Sequence, residues 1–457
     1  MTPARLLALA SAFTIPLYPA AAKEDAPIPP LVLKPIKFIE YDLENGLHVI
    51  LHENHASPVV STYVLYHVGS KNERADRTGF AHFFEHLMFE GSDNIPPKTI
   101  DKYISGAGGN LNASTSFDQT DYFFNVPANQ LKLALWIESE RMKHAKIDET
   151  GVETQRQVVK EEKRRGVDNQ PYGTLFENLA GLVFKGTPYE WVPIGAFQYI
   201  DEAKIDEFRE FYKTYYMPNN ATLAIAGDFD LEKTKQLVAD YFGTIPKGPA
   251  VQRPKIDWKL NVPGAKKDVL KDNTPLPASL HAWRAATETD PDSYPLEMLG
   301  NILSTGRSSR LYKRLVEKEQ VAIEVEAFPF LLEKAGMLGV YVIGQKGVPL
   351  ETLDKLIDEE VEKVKTDGVT EEEFQKARNN QEAQFASSFG AMSSRAKNLA
   401  RYHVFFGDAN LINTELDRYL AVKRADLQRV AKKYFTKEGM NILRYPVPAA
   451  PAAPESK

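Results

Sequence analysis

The 457-residue sequence contains no cysteine, no large basic block and, after its first 22 residues, no long apolar run. Without cysteine, the chain has no disulfide, no thiol nucleophile and no thiolate ligand for zinc, so His, Asp and Glu are the available metal ligands. The net charge of -6, without a basic cluster, argues against a nucleic-acid partner. The lack of a long apolar run predicts that the mature chain has no membrane span.

The first residues have the pattern of a secretory signal. Arg5 supplies a positive start, residues 6–18 are mostly apolar, and the small residues at 20–22 suit a cleavage site. A mitochondrial transit peptide is the competing interpretation, but such peptides are richer in Arg and Ser. We therefore expect a signal peptide at residues 1–22, which in a bacterium would direct the mature protein to the periplasm.

The rest of the chain predicts an α+β fold. The hydrophobic patterns before and after Asn45-Gly46, a residue pair typical of a type I′ turn, indicate a hairpin. Helix followed by strand occurs at residues 205–225 and again at 425–443, which indicates two related halves in tandem, each a mainly antiparallel sheet packed with helices. A chance similarity of short amphipathic segments is the alternative explanation.

Composition also suggests the domain boundaries. We expect a Pro-rich leader at 23–35, a metal-binding domain at 36–246, a linker at 247–262, a related domain without the metal motif at 263–445, and a disordered Pro/Ala tail at 446–457.

The chemistry is concentrated in a His-Phe-Phe-Glu-His motif at residues 82–86. On a helix, His82, Glu85 and His86 project from one face, where the imidazoles can hold a metal and the carboxylate can reach its water. They could instead be surface histidines beside a salt-bridging Glu. The apolar neighbours Phe83 and Phe84 indicate a buried helix, in which unpaired imidazoles would be costly. The metal is therefore favoured, and no other set of His, Asp and Glu has ligand spacing in the sequence.

This order of residues is that of the inverzincins, and the chain resembles the pitrilysin and insulinase family of zinc peptidases, which includes the mitochondrial processing peptidase. The resemblance runs through nearly the whole mature chain. It implies that Zn²⁺ is held by His82, His86 and a Glu about 76 residues further on, which is Glu162 here. It also implies that Glu85 is the general base of an endopeptidase.

Glu161 stands beside the expected ligand, so the assignment needs an independent argument. On a helix, Gln155, Val159 and Glu162 share one face, whereas Glu161 points towards Arg164. Both acids could instead belong to a solvated charge run. The family usually has a Glu at the position of Gln155, where it supports the zinc site, so this support is expected to be weaker here.

The stretch at residues 108–115 resembles the edge strand to which peptides add in this family, with Asn112 and Ala113 at the substrate-binding positions. An ordinary Gly-containing turn before a strand is the alternative. The resemblance thus predicts a zinc-dependent endopeptidase acting on peptides or unfolded segments. A non-catalytic subunit of such a peptidase and a zinc hydrolase of another substrate class are the other candidates.

In relatives, the half without zinc often supplies an Arg and a Tyr near the scissile bond. The matching positions here hold Val316 and Ile323, which offer no hydrogen bond to an oxyanion. Arg310, Tyr312 and Arg314 are close but out of register. We therefore expect a heterodimer with a related subunit that supplies both groups, unless this subgroup works without the pair or the alignment slips.

Overall fold

The computed structural model describes residues 34–270 and 274–447. The expected signal peptide at 1–22 lies outside the described residues, as do positions 23–33 of the leader and 448–457 of the tail. Among the described residues, no helix is both long and apolar enough to cross a bilayer.

The first half of the chain builds a six-stranded sheet in the order β1-β2-β6-β3-β5-β4. Neighbouring strands are antiparallel, except that β2 and β6 are parallel. Strand β3 is rich in Val, Thr and Tyr and is buried along most of its length, as expected for a central strand. The strands are β1 Ile39–Asp42, β2 His48–Glu53, β3 Val59–Tyr66, β4 Asn110–Thr115, β5 Thr120–Pro127 and β6 Ala221–Gly227.

The second half builds a five-stranded sheet in the order β7-β11-β8-β10-β9. Its strands are β7 Lys266–Asp268, β8 Ala278–Arg284, β9 Ala322–Leu331, β10 Gly336–Gly344 and β11 Asn441–Tyr445. The order repeats β2-β6-β3-β5-β4, and the one parallel pair, β7 with β11, occupies the same place as β2 with β6. The expected fold of two related α+β halves is therefore confirmed.

Within residues 34–270 and 274–447, fourteen α-helices connect and cover the strands. They are α1 Phe80–Leu87, α2 Ile100–Gly106, α3 Leu131–His144, α4 Glu149–Lys163, α5 Leu175–Val183, α6 Phe197–Glu202, α7 Ile205–Tyr215, α8 Leu231–Phe242, α9 Ser293–Ser304, α10 Leu350–Asp367, α11 Glu371–Ser388, α12 Met392–Arg401, α13 Leu411–Ala421 and α14 Arg424–Tyr434.

Each half covers the sheet of the other half with a helix. Helix α5 packs on β8 and β11, where Leu179 and Leu280 share a buried cluster. Helix α12 packs on β3 and β6, where Leu399 and Tyr63 share another. This exchange buries apolar surface between the halves and holds them together. The domain boundaries remain a prediction, and residues 246–265 contain neither helix nor strand.

The first hairpin forms where it was expected, but its turn is not type I′. That turn needs two residues with positive φ, whereas only Gly46 (φ 89°) has one here. The backbone closes from Gly46 N–H to the Leu43 carbonyl at 2.8 Å. The Asn45 amide donates to the carbonyls of Phe242 and Ile245, so this residue serves a long-range contact that the local pattern could not reveal.

Candidate metal centre

Helix α1 carries the motif, and its start is fixed by a residue from outside the helix. The Glu73 carboxylate accepts hydrogen bonds from the N–H groups of Gly79 at 2.9 Å and Ala81 at 2.8 Å. These are helix N-terminal donors that would otherwise lack partners. Burial raises the pKa of Glu73 to about 8. Gly79 itself has φ 98°, and a side chain there would come within 3.2 Å of the Gly195 backbone.

Aromatic packing sets the rotation of helix α1. Phe83 and Phe84 are buried and contact Phe208 and Tyr216, with ring centroids 4.7 and 5.0 Å apart for the pairs 83–208 and 84–216. The Tyr122 hydroxyl donates to the Phe84 carbonyl at 3.1 Å. With this face buried in the core, the opposite face of the helix is left for the polar residues of the motif.

The structure brings His82, His86 and Glu162 together. His82 Nε2 lies 3.4 Å from His86 Nε2, and the two oxygens of Glu162 lie 3.5 Å from His82 Nε2 and 3.2 Å from His86 Nε2. The His82 ring is nearly buried, His86 is partly exposed and about half of the Glu162 side chain is exposed. Hydrogen bonds from His82 and His86 hold the pKa of Glu162 well below its usual value.

These separations fit a zinc ion. Tetrahedral zinc with bonds of about 2.0–2.2 Å needs ligand atoms about 3.3–3.6 Å apart. The two Nε2 atoms are 3.4 Å apart, one Glu162 oxygen lies 3.5 Å from His82 Nε2 and the other lies 3.2 Å from His86 Nε2, so two separations fall in this range and the third is just below it. The imidazole planes of His82 and His86 lie at 83° to each other, and both Nε2 atoms lie within 3.5 Å of the Glu162 carboxylate. His82, His86 and Glu162 are therefore close enough together to share one metal ion.

Glu161, the alternative to Glu162, points elsewhere. Its carboxylate pairs with Arg165 at 2.5 Å and with Arg164 at 3.7 Å. Both acids belong to helix α4, and only Glu162 faces helix α1, as the helical periodicity indicates.

A second group of possible metal ligands, absent from the sequence expectations, consists of Glu40, His48 and His403. The imidazole rings of His48 and His403 are stacked, with centroids 3.4 Å apart and planes within 7°. Their lone pairs lie in parallel planes and cannot converge on one ion. His48 instead contacts Asp42 at 2.8 Å and Glu40 at 3.3 Å, so carboxylates already contact both of its ring nitrogens. It could not be found from spacing, since His403 is distant in the sequence.

Glu85 lies on the same side of helix α1 as the two histidines and contacts strand β4. The Thr115 hydroxyl donates to Glu85 Oε2 at 2.7 Å. Strand β4 is one of the two edge strands of its sheet, so Asn112 and Ala113 lie where a peptide could add. The Asn112 side chain accepts from the Ala113 N–H at 2.9 Å.

Gln155 does face the first half's core, but its partner is not a metal ligand. The amide donates to Glu90, and both side chains are buried. Glu90 follows helix α1 and was not singled out in the sequence. Gln155 therefore contacts a carboxyl group from outside helix α4, and the expectation of weaker electrostatic support for the zinc site stays a prediction.

The two arginines close to the stretch expected to lack an Arg and a Tyr are engaged in ion pairs. Arg310 pairs with Glu373 at 2.6 Å, and Arg314 pairs with Glu319 at 2.6 Å. Val316 packs against the core of the second half, while Ile323 is 53% exposed on β9.

Comparison with known proteins decides the family. Residues 48–191 match the family model described as "Insulinase (Peptidase family M16)", and residues 203–381 match "Peptidase M16 inactive domain". The zinc protease PqqE of Helicobacter pylori is 31% identical over 402 residues, which cover 86% of this chain and 89% of that protein. The chain belongs to peptidase family M16.

Two further comparisons support the assignment to this family. A probable mitochondrial-processing peptidase subunit beta of Arabidopsis thaliana is 25% identical over 86% of this chain and 75% of its own. The crystal structure of a protease from Helicobacter pylori superposes with a TM-score of 0.85 at 29% identity, covering 90% of this chain and all of that one. The resemblance noted in the sequence is confirmed, and the match to an inactive domain at residues 203–381 begins after the motif and continues into the second half.

Proposed function

We propose that this M16 protein is a zinc-dependent endopeptidase whose metal is held by His82, His86 and Glu162. The observation that supports this best is the cluster of His82, His86 and Glu162, in which the two Nε2 atoms lie 3.4 Å apart and each lies within 3.5 Å of a Glu162 oxygen. Glu85 is one position away from a ligand on the same helix. Relatives named as zinc proteases support the same metal. Zinc, when bound, would polarise a peptide carbonyl and lower the pKa of a water towards about 7.

In this proposal Glu85 moves the proton. Its carboxylate takes a proton from the water as the water oxygen attacks the carbonyl carbon, and it later delivers that proton to the nitrogen as the C–N bond breaks. Glu85 is not one of the three proposed metal ligands, so one of its oxygens can serve as the base. General base catalysis typically contributes about 100- to 10,000-fold.

Substrate would be held mainly through its backbone. An extended peptide can pair with the free edge of β4 beside Asn112 and Ala113, next to the strand end that touches Glu85. Main-chain pairing does not depend on side chains, so the proposed substrates are peptides or unfolded segments of varied sequence.

We further propose that a related second subunit completes the site and that the mature protein acts in the periplasm. The partner is supported by Val316 and Ile323, which cannot donate to an oxyanion, and by the ion pairs that occupy Arg310 and Arg314. The location rests on the signal-like sequence at residues 1–22.

A peptide library digested with the zinc-loaded protein, followed by mass spectrometry, tests the activity. We expect internal cleavages that disappear with a chelator and return with added zinc. The digestion is run with the chain alone and with a related subunit, and absence of cleavage under both conditions would refute the proposed function.

A further inference from the structure

We propose that Thr115 is a positioning residue that orients the Glu85 carboxylate and connects it to the strand that would receive the peptide. The proposal rests on the peptidase function above. Its basis is the 2.7 Å hydrogen bond from Thr115 Oγ1 to Glu85 Oε2. Within residues 34–270 and 274–447, Thr115 is the only side chain that donates to this carboxylate.

A general base needs a defined orientation, and Glu85 cannot supply one alone. A Glu side chain has several rotatable bonds, and its last torsion is broad rather than confined to narrow wells. A donor on Oε2 fixes the plane of the carboxylate and leaves Oε1 to receive a proton. Bonds to an ionised acceptor are also stronger than neutral ones.

Thr115 is itself held firmly. It ends β4 and pairs with Thr120 of β5. The turn that follows closes with Ser116 N–H donating to the Gln119 carbonyl at 2.8 Å. The same turn accepts from the N–H of Lys71 through the Phe117 carbonyl at 3.0 Å. A β-branched residue on such a support has few rotamers available, so its hydroxyl has a fixed direction.

The position of Thr115 also places the proposed peptide-binding strand next to the proposed general base, Glu85. Ala113 lies two residues earlier on the same strand. A peptide that pairs with β4 therefore contacts the strand whose last residue, Thr115, donates a hydrogen bond to Glu85. The hydroxyl does not face the free edge, because it is committed to the carboxylate. Its loss should therefore slow the chemical step without weakening peptide binding.

Thr115→Val, which keeps the shape and removes the donor, tests this. A hydrogen bond to a charged group corresponds to about a 10- to 100-fold effect, so we expect kcat to fall by about that factor while KM changes less than about twofold. Thr115→Ser, which keeps the donor, should restore kcat. Thr366→Val is the matched control, because it makes the same change on helix α10, where the hydroxyl donates to the Glu362 carbonyl at 3.1 Å and not to Glu85.

Each variant is measured as zinc-loaded protein, alone or with the second subunit, whichever gives turnover, and its zinc content and melting temperature are determined. A second comparison combines Thr115→Val with Glu85→Gln. If Thr115 acts through Glu85, the combination should be no slower than Glu85→Gln alone.

The proposal is overturned if Thr115→Val has the wild-type kcat, if Thr115→Ser is equally impaired, or if the valine lowers activity as much in the Glu85→Gln background. Wild-type protein without turnover under either condition would overturn the proposed function and this proposal with it. Normal wild-type turnover with an unaffected valine variant would overturn this proposal alone.

Discussion

Glu162 Oε2 lies 3.2 Å from His86 Nε2, although the two residues belong to different helices. The contact gives the first prediction. Glu162→Gln and His86→Ala should each lose the zinc that wild-type protein binds at one ion per chain, because each removes a ligand. Metal analysis after dialysis measures the result.

Glu161→Gln is the control, since that carboxylate pairs with Arg165 instead. It should retain zinc. Equal zinc in the Glu162→Gln and wild-type proteins would show that the third ligand lies elsewhere.

The clustering of His82, His86 and Glu162 could be predicted from the sequence by combining helical periodicity with the family resemblance. The spacing of His82, Glu85 and His86 places all three on one face of any helix, and the same rule separates Glu162 from Glu161. The apolar neighbours then decide which face is buried. These properties are local, so they can be derived from a single sequence. The link between Glu162 and the motif required the family resemblance as well.

The residues that hold the site residues in place could not be predicted from sequence periodicity. Glu73 reaches the start of helix α1 across a loop, Thr115 reaches Glu85 from a strand, and Glu90 meets Gln155 between elements. Each contact depends on how separate elements pack, and a lone acid or hydroxyl has no pattern that marks it. The stacking of His48 on His403 could not be predicted for the same reason.

The second prediction concerns the start of helix α1. Glu73→Ala leaves the N–H groups of Gly79 and Ala81 without their acceptor in a buried place, which should cost about 1–3 kcal/mol of the free energy of unfolding. Urea unfolding measures it. Arg74→Ala, at a side chain 69% exposed, is the control and should stay within about 0.5 kcal/mol. Similar stability of the two variants would mean that Glu73 does not hold the helix.

The third prediction concerns the partner. The chain purified alone should hydrolyse peptides poorly, and a related M16 subunit that carries the missing Arg and Tyr should increase turnover. Replacing that Arg in the partner by Ala is the matched control, because donors to the oxyanion contribute about 100- to 1,000-fold. Full activity of the chain alone would refute the heterodimer.

The fourth prediction concerns His281, which is fully buried, 3.2 Å from Asp354 and 3.0 Å from Asp358. Burial lowers its pKa, but the hydrogen bond with Asp354 and the nearby charges of Asp354 and Asp358 outweigh burial, so the net pKa is raised. A raised folded-state pKa stabilises the protein fully below the unfolded value of about 6.5, and the stabilisation is lost as pH rises through the folded-state value.

The free energy of unfolding should therefore contain a component that falls as pH rises above about 6.5, and His281→Gln should lack it. Urea unfolding at a series of pH values measures how steeply the free energy of unfolding changes with pH in the wild-type and His281→Gln proteins. Identical slopes in the two proteins would contradict the assignment of this component to His281.

Peptide hydrolysis by the Glu85→Gln variant, loaded with one zinc per chain and assayed beside wild-type protein, tests the central claim most directly. The variant should fold and bind zinc normally, because Glu85 is not a ligand, and its turnover should be about 100- to 10,000-fold lower. Near-normal turnover in the zinc-loaded variant would contradict the account, since the proton would then be moved by another group.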